Sequence, residues 1–190
     1  MTDGSVIAFE FARTLADIDR VFGSPGSECR SLVIAGMDAV NHRDVAVFIP
    51  AYTLFAILAA LFLGGRSPLA LAAAAAALGA AAADWVETFT LLKITSDLDA
   101  APPLLATSST AAWIKFALLA AHGLLLTAVC LTAAPARRIL AALLILPAIG
   151  TALAFYDPTR FSTLMSLGLL VAWLALLAIA VRDAVWRRRA

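Results

Sequence analysis

The stretch LALAAAAAALGAAAADWVETFTLL, residues 69–92, decides the fold. Its apolar length exceeds the roughly 20 residues that an α-helix needs to cross the hydrocarbon core of a bilayer. It also carries two acids, Asp84 and Glu87, which share one helix face with Thr88. A charge at the middle of a spanning helix costs roughly 2.5–3.5 kcal/mol on insertion scales, so acids placed there imply a partner or a function that offsets the cost. The next apolar stretch carries Lys115 and His122, two turns apart and again on one face. Two acids facing a lysine would make a charge-compensated cluster. These residues mark a site without naming its chemistry.

Composition agrees with a membrane chain. Of 190 residues, 63% are hydrophobic and 14% charged, whereas soluble domains carry about 25% charged and about 45–50% apolar residues. The expected partner is therefore the lipid bilayer. A net charge of +1 gives no footing for a nucleic-acid backbone, so no nucleic-acid partner is expected. Cys29 and Cys130 make neither a disulfide framework nor a CxxC motif. The first forty residues are mixed and polar rather than a short apolar run with a small-residue cleavage site, so the N-terminus is expected to be retained. No nucleotide loop, haem attachment or quinone pattern names a cofactor.

The predicted fold is all-α, a polytopic membrane helical bundle with five transmembrane helices at about residues 45–63, 68–92, 111–134, 139–155 and 161–181. Pro50 is expected to loosen the first turns of the first span, Pro68 to open the second, Pro135 to stop the third, and Pro147 to kink the fourth. The link 93–110, with Pro102 and Pro103, is expected on the surface. Residues 1–44 form a separate segment ahead of the bundle at 45–190. Within it SVIAFEFARTLADIDRVF reads as one amphipathic helix, SPGS as a turn, and ECRSLVIAGMDAVNHRDVAVF as a helix running into the first span. The competing reading is a loosely ordered tail. Ala75, Gly79 and Ala83 recur every four residues, the small-residue spacing of close helix packing, which predicts that face as the packing surface of the second span.

Five spans put the two ends on opposite sides. Arg66, Arg137, Arg138, Arg182 and the terminal WRRRA, with Trp186 and Arg187 to Arg189, collect on one side. Basic flanks favour the cytoplasm, so the expectation is a bacterial cytoplasmic (inner) membrane protein with its N-terminus outside and its C-terminus inside. That topology brings Asp44, Asp84, Glu87 and Lys115 to the outer layer, with His122 two turns deeper. Glu87 would lie nearer the outer water, and Asp84 deeper against the alanine face.

Several roles suit these residues. Glu87, Asp84 and Lys115 are the candidate catalytic groups, with an acid as base and the lysine holding an anion. Asp44, Tyr52, Asp84, Glu87, Lys115 and His122 are the candidate ligand-binding set. Asp38 and His42, at i and i+4, are weak metal candidates, since zinc sites usually draw on more imidazole or thiolate. For most of the group at 38–43 the plainer reading is the wetted end of a helix. A lone His122 is more often hydrogen-bonded inside a bundle than a ligand. The plainest reading of the whole cluster is an ion pair that fixes helix register.

The motifs Asp44-x-x-x-Phe48…Tyr52, Ala83-Asp84-x-x-Glu87 before Leu91-Leu92, and Thr110…Lys115-Phe116 resemble an uncharacterised family of small bacterial multi-span integral membrane proteins. The opening Phe9-Glu10-Phe11-Ala12-Arg13-Thr14 is also similar to that family's N-terminus. The resemblance implies that Asp44, Asp84, Glu87 and Lys115 belong together, without assigning their task. Where the family carries asparagine after the glutamate this chain has Thr88, so no hydrogen-bond role carries over there.

Three functions follow from these readings. The first is a charged pocket in the outer leaflet that binds a lipid-like small molecule or an ion. The second is an acid–base enzyme on a lipid-like substrate. The third is an accessory subunit packed among other membrane subunits, its cluster purely structural. Polar residues that line only the outer half argue against a transporter.

Overall fold

Prolines and glycines set many of the helix limits in this chain. The computed structural model describes residues 5–133 and 137–187, and its regular structure is helical throughout. In chain order the elements are α1 (Val6–Glu10), α2 (Leu15–Phe22), α3 (Arg30–Arg43), a π-helical turn (Asp44–Phe48), α4 (Ile49–Gly64), α5 (Pro68–Ser96), α6 (Pro102–Ala133), α7 (Arg138–Leu144), α8 (Leu146–Tyr156) and α9 (Pro158–Arg187). Pro68, Pro102 and Pro158 each open a helix, where the missing N–H would have had no intrahelical partner. Gly65, just past α4, takes φ 57°, a left-handed conformation in which a side chain is strained.

Five stretches are long and apolar enough to cross a membrane: Arg30–Gly64, Pro68–Ser96, Pro102–Thr132, Arg138–Tyr156 and Pro158–Ala184. The protein is an all-α, five-span membrane bundle, as the sequence predicts. Pro135, the side chains of Trp186 and Arg187, and Arg188 and Arg189 lie outside the described residues.

Three local expectations are corrected. The third span begins at Pro102 rather than near 111, because paired prolines suit a first turn, and the link before it shrinks to residues 97–101. The N-terminal segment makes two short helices rather than one. Thr14 starts α2 with a capping box, its hydroxyl accepting from Asp17 N while the Asp17 carboxylate accepts from Thr14 N. That local bonding breaks the helix after Glu10. The small-residue face is corrected at one position: Ala83 is buried and a Cβ on Gly79 would stand 3.1 Å from the Leu118 side chain, but Ala75 is not part of the packed stripe. Ala70, Ala73, Ala77, Ala80 and Ala81 are buried, while Ala75 is exposed. An i+3/i+4 stripe follows the helical period more closely than a strict four-residue repeat.

Pro50 acts as expected. It has no N–H for the carbonyl one turn earlier, and just before it the chain widens into the π turn, where Ile49 N bonds Asp44 O. Pro147 likewise ends α7, and the helix restarts as α8 with Ala148 N and Ile149 N on Ile145 O.

The chain forms two compact units: the described residues of Met1–Tyr52 with Ala80–Lys115, and those of Thr53–Gly79 with Phe116–Ala190. In the first, Phe9, Ala12, Ile18, Val21 and Phe22 from α1, α2 and their junction bury against Met37, Leu91, Ile94, Ala101 and Leu105. Phe9 meets Phe22 edge-on at 4.9 Å, and Arg30 joins α2 to α3 by bonding Asp19 at 2.8 Å and the carbonyl of Gly23. The N-terminal segment is thus packed structure, not a loose tail. In the second unit, Ala60, Leu63, Ala73, Leu126, Val129, Leu140, Leu144, Ala172 and Leu176 share one core. Gly123 lets the backbone close in there: a Cβ on it would stand 2.6 Å from the carbonyl oxygen of Leu144.

Candidate functional site

The first unit holds a buried ammonium among three carboxylates. α5 presents Asp84 and Glu87 one turn apart, α6 presents Lys115, and α1 ends on Glu10. Lys115 Nζ lies 2.8 Å from Glu87 Oε2, 3.1 Å from Glu10 Oε1 and 3.3 Å from Asp84 Oδ1. The Glu87 contact is an ion pair by distance, with angles outside the hydrogen-bonding range. Tyr52, on α4, donates its hydroxyl to Asp84 Oδ2 at 3.0 Å.

Burial makes these contacts consequential. Glu87 is 1% exposed, Lys115 5%, Asp84 7% and Glu10 8%. Attraction between charges is far stronger at such depth than at a wet surface, and so is the cost of a charge without a partner. Three carboxylates against one ammonium leave two formal negative charges when all are ionised. Half-buried Asp44, at the start of the π turn, lies within electrostatic reach of Asp84, Glu10 and Lys115. Glu10 Oε2 is buried and accepts no hydrogen bond, and in the same unit Asn41 Nδ2 and Ser108 Oγ are buried without a hydrogen-bond partner.

Asp44, Tyr52, Asp84, Glu87 and Lys115 therefore fall in one unit, with Lys115 paired to both acids of α5. Both acids of α5 are buried. Glu87 is the more enclosed and the closer to Lys115, because the face of α5 that carries Glu87, Thr88 and Leu91 turns into the packed interior. His122 belongs to the second unit, where its Nδ1 lies 2.9 Å from Ala73 O and its Nε2 has no hydrogen-bond partner. Asp38 accepts the Thr95 hydroxyl at 2.6 Å, and His42 is exposed. Among the described residues no group of three or more His, Cys, Asp or Glu is placed to hold a metal ion.

Sequence reasoning passed over Glu10 as a site residue. It stands 105 positions before Lys115, on a helix of five residues that is too short to show periodicity. The usable signal was an acid between two phenylalanines in an amphipathic stretch, since a carboxylate on the apolar face needs a partner. Chemically the arrangement is a strong acceptor for positive charge. The ammonium of Lys115 already sits against three carboxylates, whose negative charge leaves it ill suited to hold an anion. Comparison with protein-family models, curated proteins and solved structures finds no match to this chain, so the site stands on its own geometry.

Proposed function

We propose that this protein is a membrane-embedded binding protein whose Glu10–Asp84–Glu87–Lys115 cluster takes a positively charged small molecule or ion. The observation that carries this reading is the mismatch of three buried carboxylates against one lysine. A purely structural cluster, as in an accessory subunit, would be expected to match its charges and fill its hydrogen bonds. Here Glu10 Oε2 accepts no hydrogen bond. The acid–base enzyme reading loses support because three carboxylates around Lys115 would repel an anionic substrate. The resemblance of the motifs to a bacterial membrane family supports treating Asp44, Asp84, Glu87 and Lys115 as one set. The same reading places the cluster in the outer leaflet of a bacterial inner membrane, with the N-terminus outside.

The test compares the parent chain with Glu87→Gln after extraction in mild detergent. Bound small molecules are identified by mass spectrometry, and their affinities are measured by thermal shift. The parent should retain a cationic molecule that Glu87→Gln binds about tenfold or more weakly, the effect of losing one charge-assisted contact. Equal retention and equal affinity in both proteins would leave the cluster structural.

A further inference from the structure

The excess of acid has a local counterpart in Glu10. Its Oε1 meets Lys115 Nζ at 3.1 Å, whereas Oε2 of the same carboxylate is buried and accepts no hydrogen bond. The Glu10 side chain is 11% exposed and the Oε2 atom itself is buried, so solvent gives that oxygen little relief. A buried carboxylate oxygen without a donor is costly, and a charged N–H answers it best.

The acids are spaced around the ammonium already among them. Their oxygens stand 2.8, 3.1 and 3.3 Å from Nζ. Those are N–H···O distances, whereas oxygen shells around Mg²⁺ and Ca²⁺ close to about 2.0–2.6 Å. The carboxylates are set out around an ammonium group.

Aromatic residues neighbour the acids along the chain, and Tyr52 bonds one of them. Phe11 follows Glu10 in sequence and packs on Trp113 at 4.7 Å, and Trp113 precedes Lys115 by two residues on α6. Phe48 lies 5.4 Å from Tyr52, whose hydroxyl bonds Asp84. Trp85, next to Asp84, donates its indole N–H to Val45 O at 3.4 Å and so ties the π turn to α5. Ring faces attract ammonium groups and also pack against the carbon chains that bear them.

We infer that the cluster binds a second primary ammonium beside Lys115, carried either by a small alkylamine or by the ethanolamine headgroup of a lipid, with Glu10 accepting from it through Oε2. The inference rests on the binding reading above and narrows its ligand class. A primary ammonium brings N–H donors to the unfilled oxygen. A quaternary ammonium brings none. With Lys115 it sets two positive charges against three carboxylates.

The test uses the full chain in nanodiscs of phosphatidylglycerol, a lipid without an amine. Thermal stability is read at constant ionic strength with ethylammonium, tetramethylammonium or sodium. Parallel nanodiscs replace part of the lipid by phosphatidylethanolamine or phosphatidylcholine. Ethylammonium, phosphatidylethanolamine or both should raise Tm, while the other three species leave it unchanged. Ethylammonium alone identifies a soluble amine; phosphatidylethanolamine alone identifies the headgroup. In Glu10→Gln the half-saturating concentration should rise about tenfold or more. Equal stabilisation by sodium or tetramethylammonium, or no shift with any primary amine, overturns the ammonium assignment. It leaves the binding reading to its own mass-spectrometric test. The comparison among cations uses the unaltered chain and so stands even if Glu10→Gln does not fold.

Discussion

Replacing Lys115 with methionine keeps most of the side-chain volume and removes the one charge common to Glu10, Asp84 and Glu87. At 2.8, 3.1 and 3.3 Å, each contact has a gross attraction of about 5–6 kcal/mol for an effective dielectric constant of about 20. Desolvation of the lysine and repulsion among the acids offset most of that sum. What remains is the cost of leaving buried carboxylates unopposed, about 3–5 kcal/mol when one partner of a buried pair is removed. For a chain of this size each kcal/mol corresponds to about 2–4 °C, so Lys115→Met should melt about 6–20 °C below the parent in the same detergent or nanodisc. Lys115→Met with Glu87→Gln should recover part of the loss, and neutralising Glu10 and Asp84 as well should recover most of it. Thermal unfolding followed by tryptophan fluorescence checks the series. A Lys115→Met protein that melts within about 2 °C of the parent would refute the charge argument. So would a fully neutralised variant no more stable than Lys115→Met.

Two further outcomes are expected. Cys29 is exposed and Cys130 buried, so a membrane-impermeant thiol reagent should label Cys29 in intact cells if the N-terminus is outside; labelling only after the membrane is opened would reverse the orientation. The Asp17 carboxyl sits below its ordinary value: its partial burial opposes this, but the Thr14 hydroxyl and the N–H groups of Arg13 and Thr14 outweigh that burial, with Arg20 adding attraction. A lowered folded-state value means that Asp17 stabilises above the ordinary carboxylate range and ceases to do so as pH falls through its own value. Asp17→Ala should therefore cost about 1 kcal/mol at neutral pH. The difference from the parent should begin to narrow as pH falls through the ordinary carboxylate range and close below the carboxyl's own, lower value. A constant gap at all pH values would show that the cap contributes through packing alone.

The parts of the site legible in the sequence were those that a helical period can report. Asp84 and Glu87 at i and i+3, in a run otherwise of alanine and leucine, had to face something, and Lys115 on the following span was the available cation. Pro50 and Pro147 also announced their local effects, because a missing N–H acts where it stands. Depth was less legible: period places Glu87 on a face but does not say which face is packed, and the interior proved to lie on its side. Glu10 was illegible as a partner because a contact across 105 residues is made by tertiary packing of Phe9, Ile18 and Phe22 rather than by local pattern. The small-residue series missed at Ala75 for a related reason. In an alanine-rich helix almost every face offers small residues, so composition cannot choose between 75/79/83 and 73/77/80.

The short link between α5 and α6 has a meaning for biosynthesis. Chains emerge from the ribosome N-terminus first, so Asp84 and Glu87 are made before the lysine that pairs with them. A lone α5 would enter the membrane with two acids at roughly 2.5–3.5 kcal/mol each. Only residues 97–101 separate it from α6, short enough for the two helices to leave the insertion machinery as a hairpin with Lys115 already between the acids. Glu10 is made before either acid of α5, yet its contact with Lys115 cannot close until α6 exists.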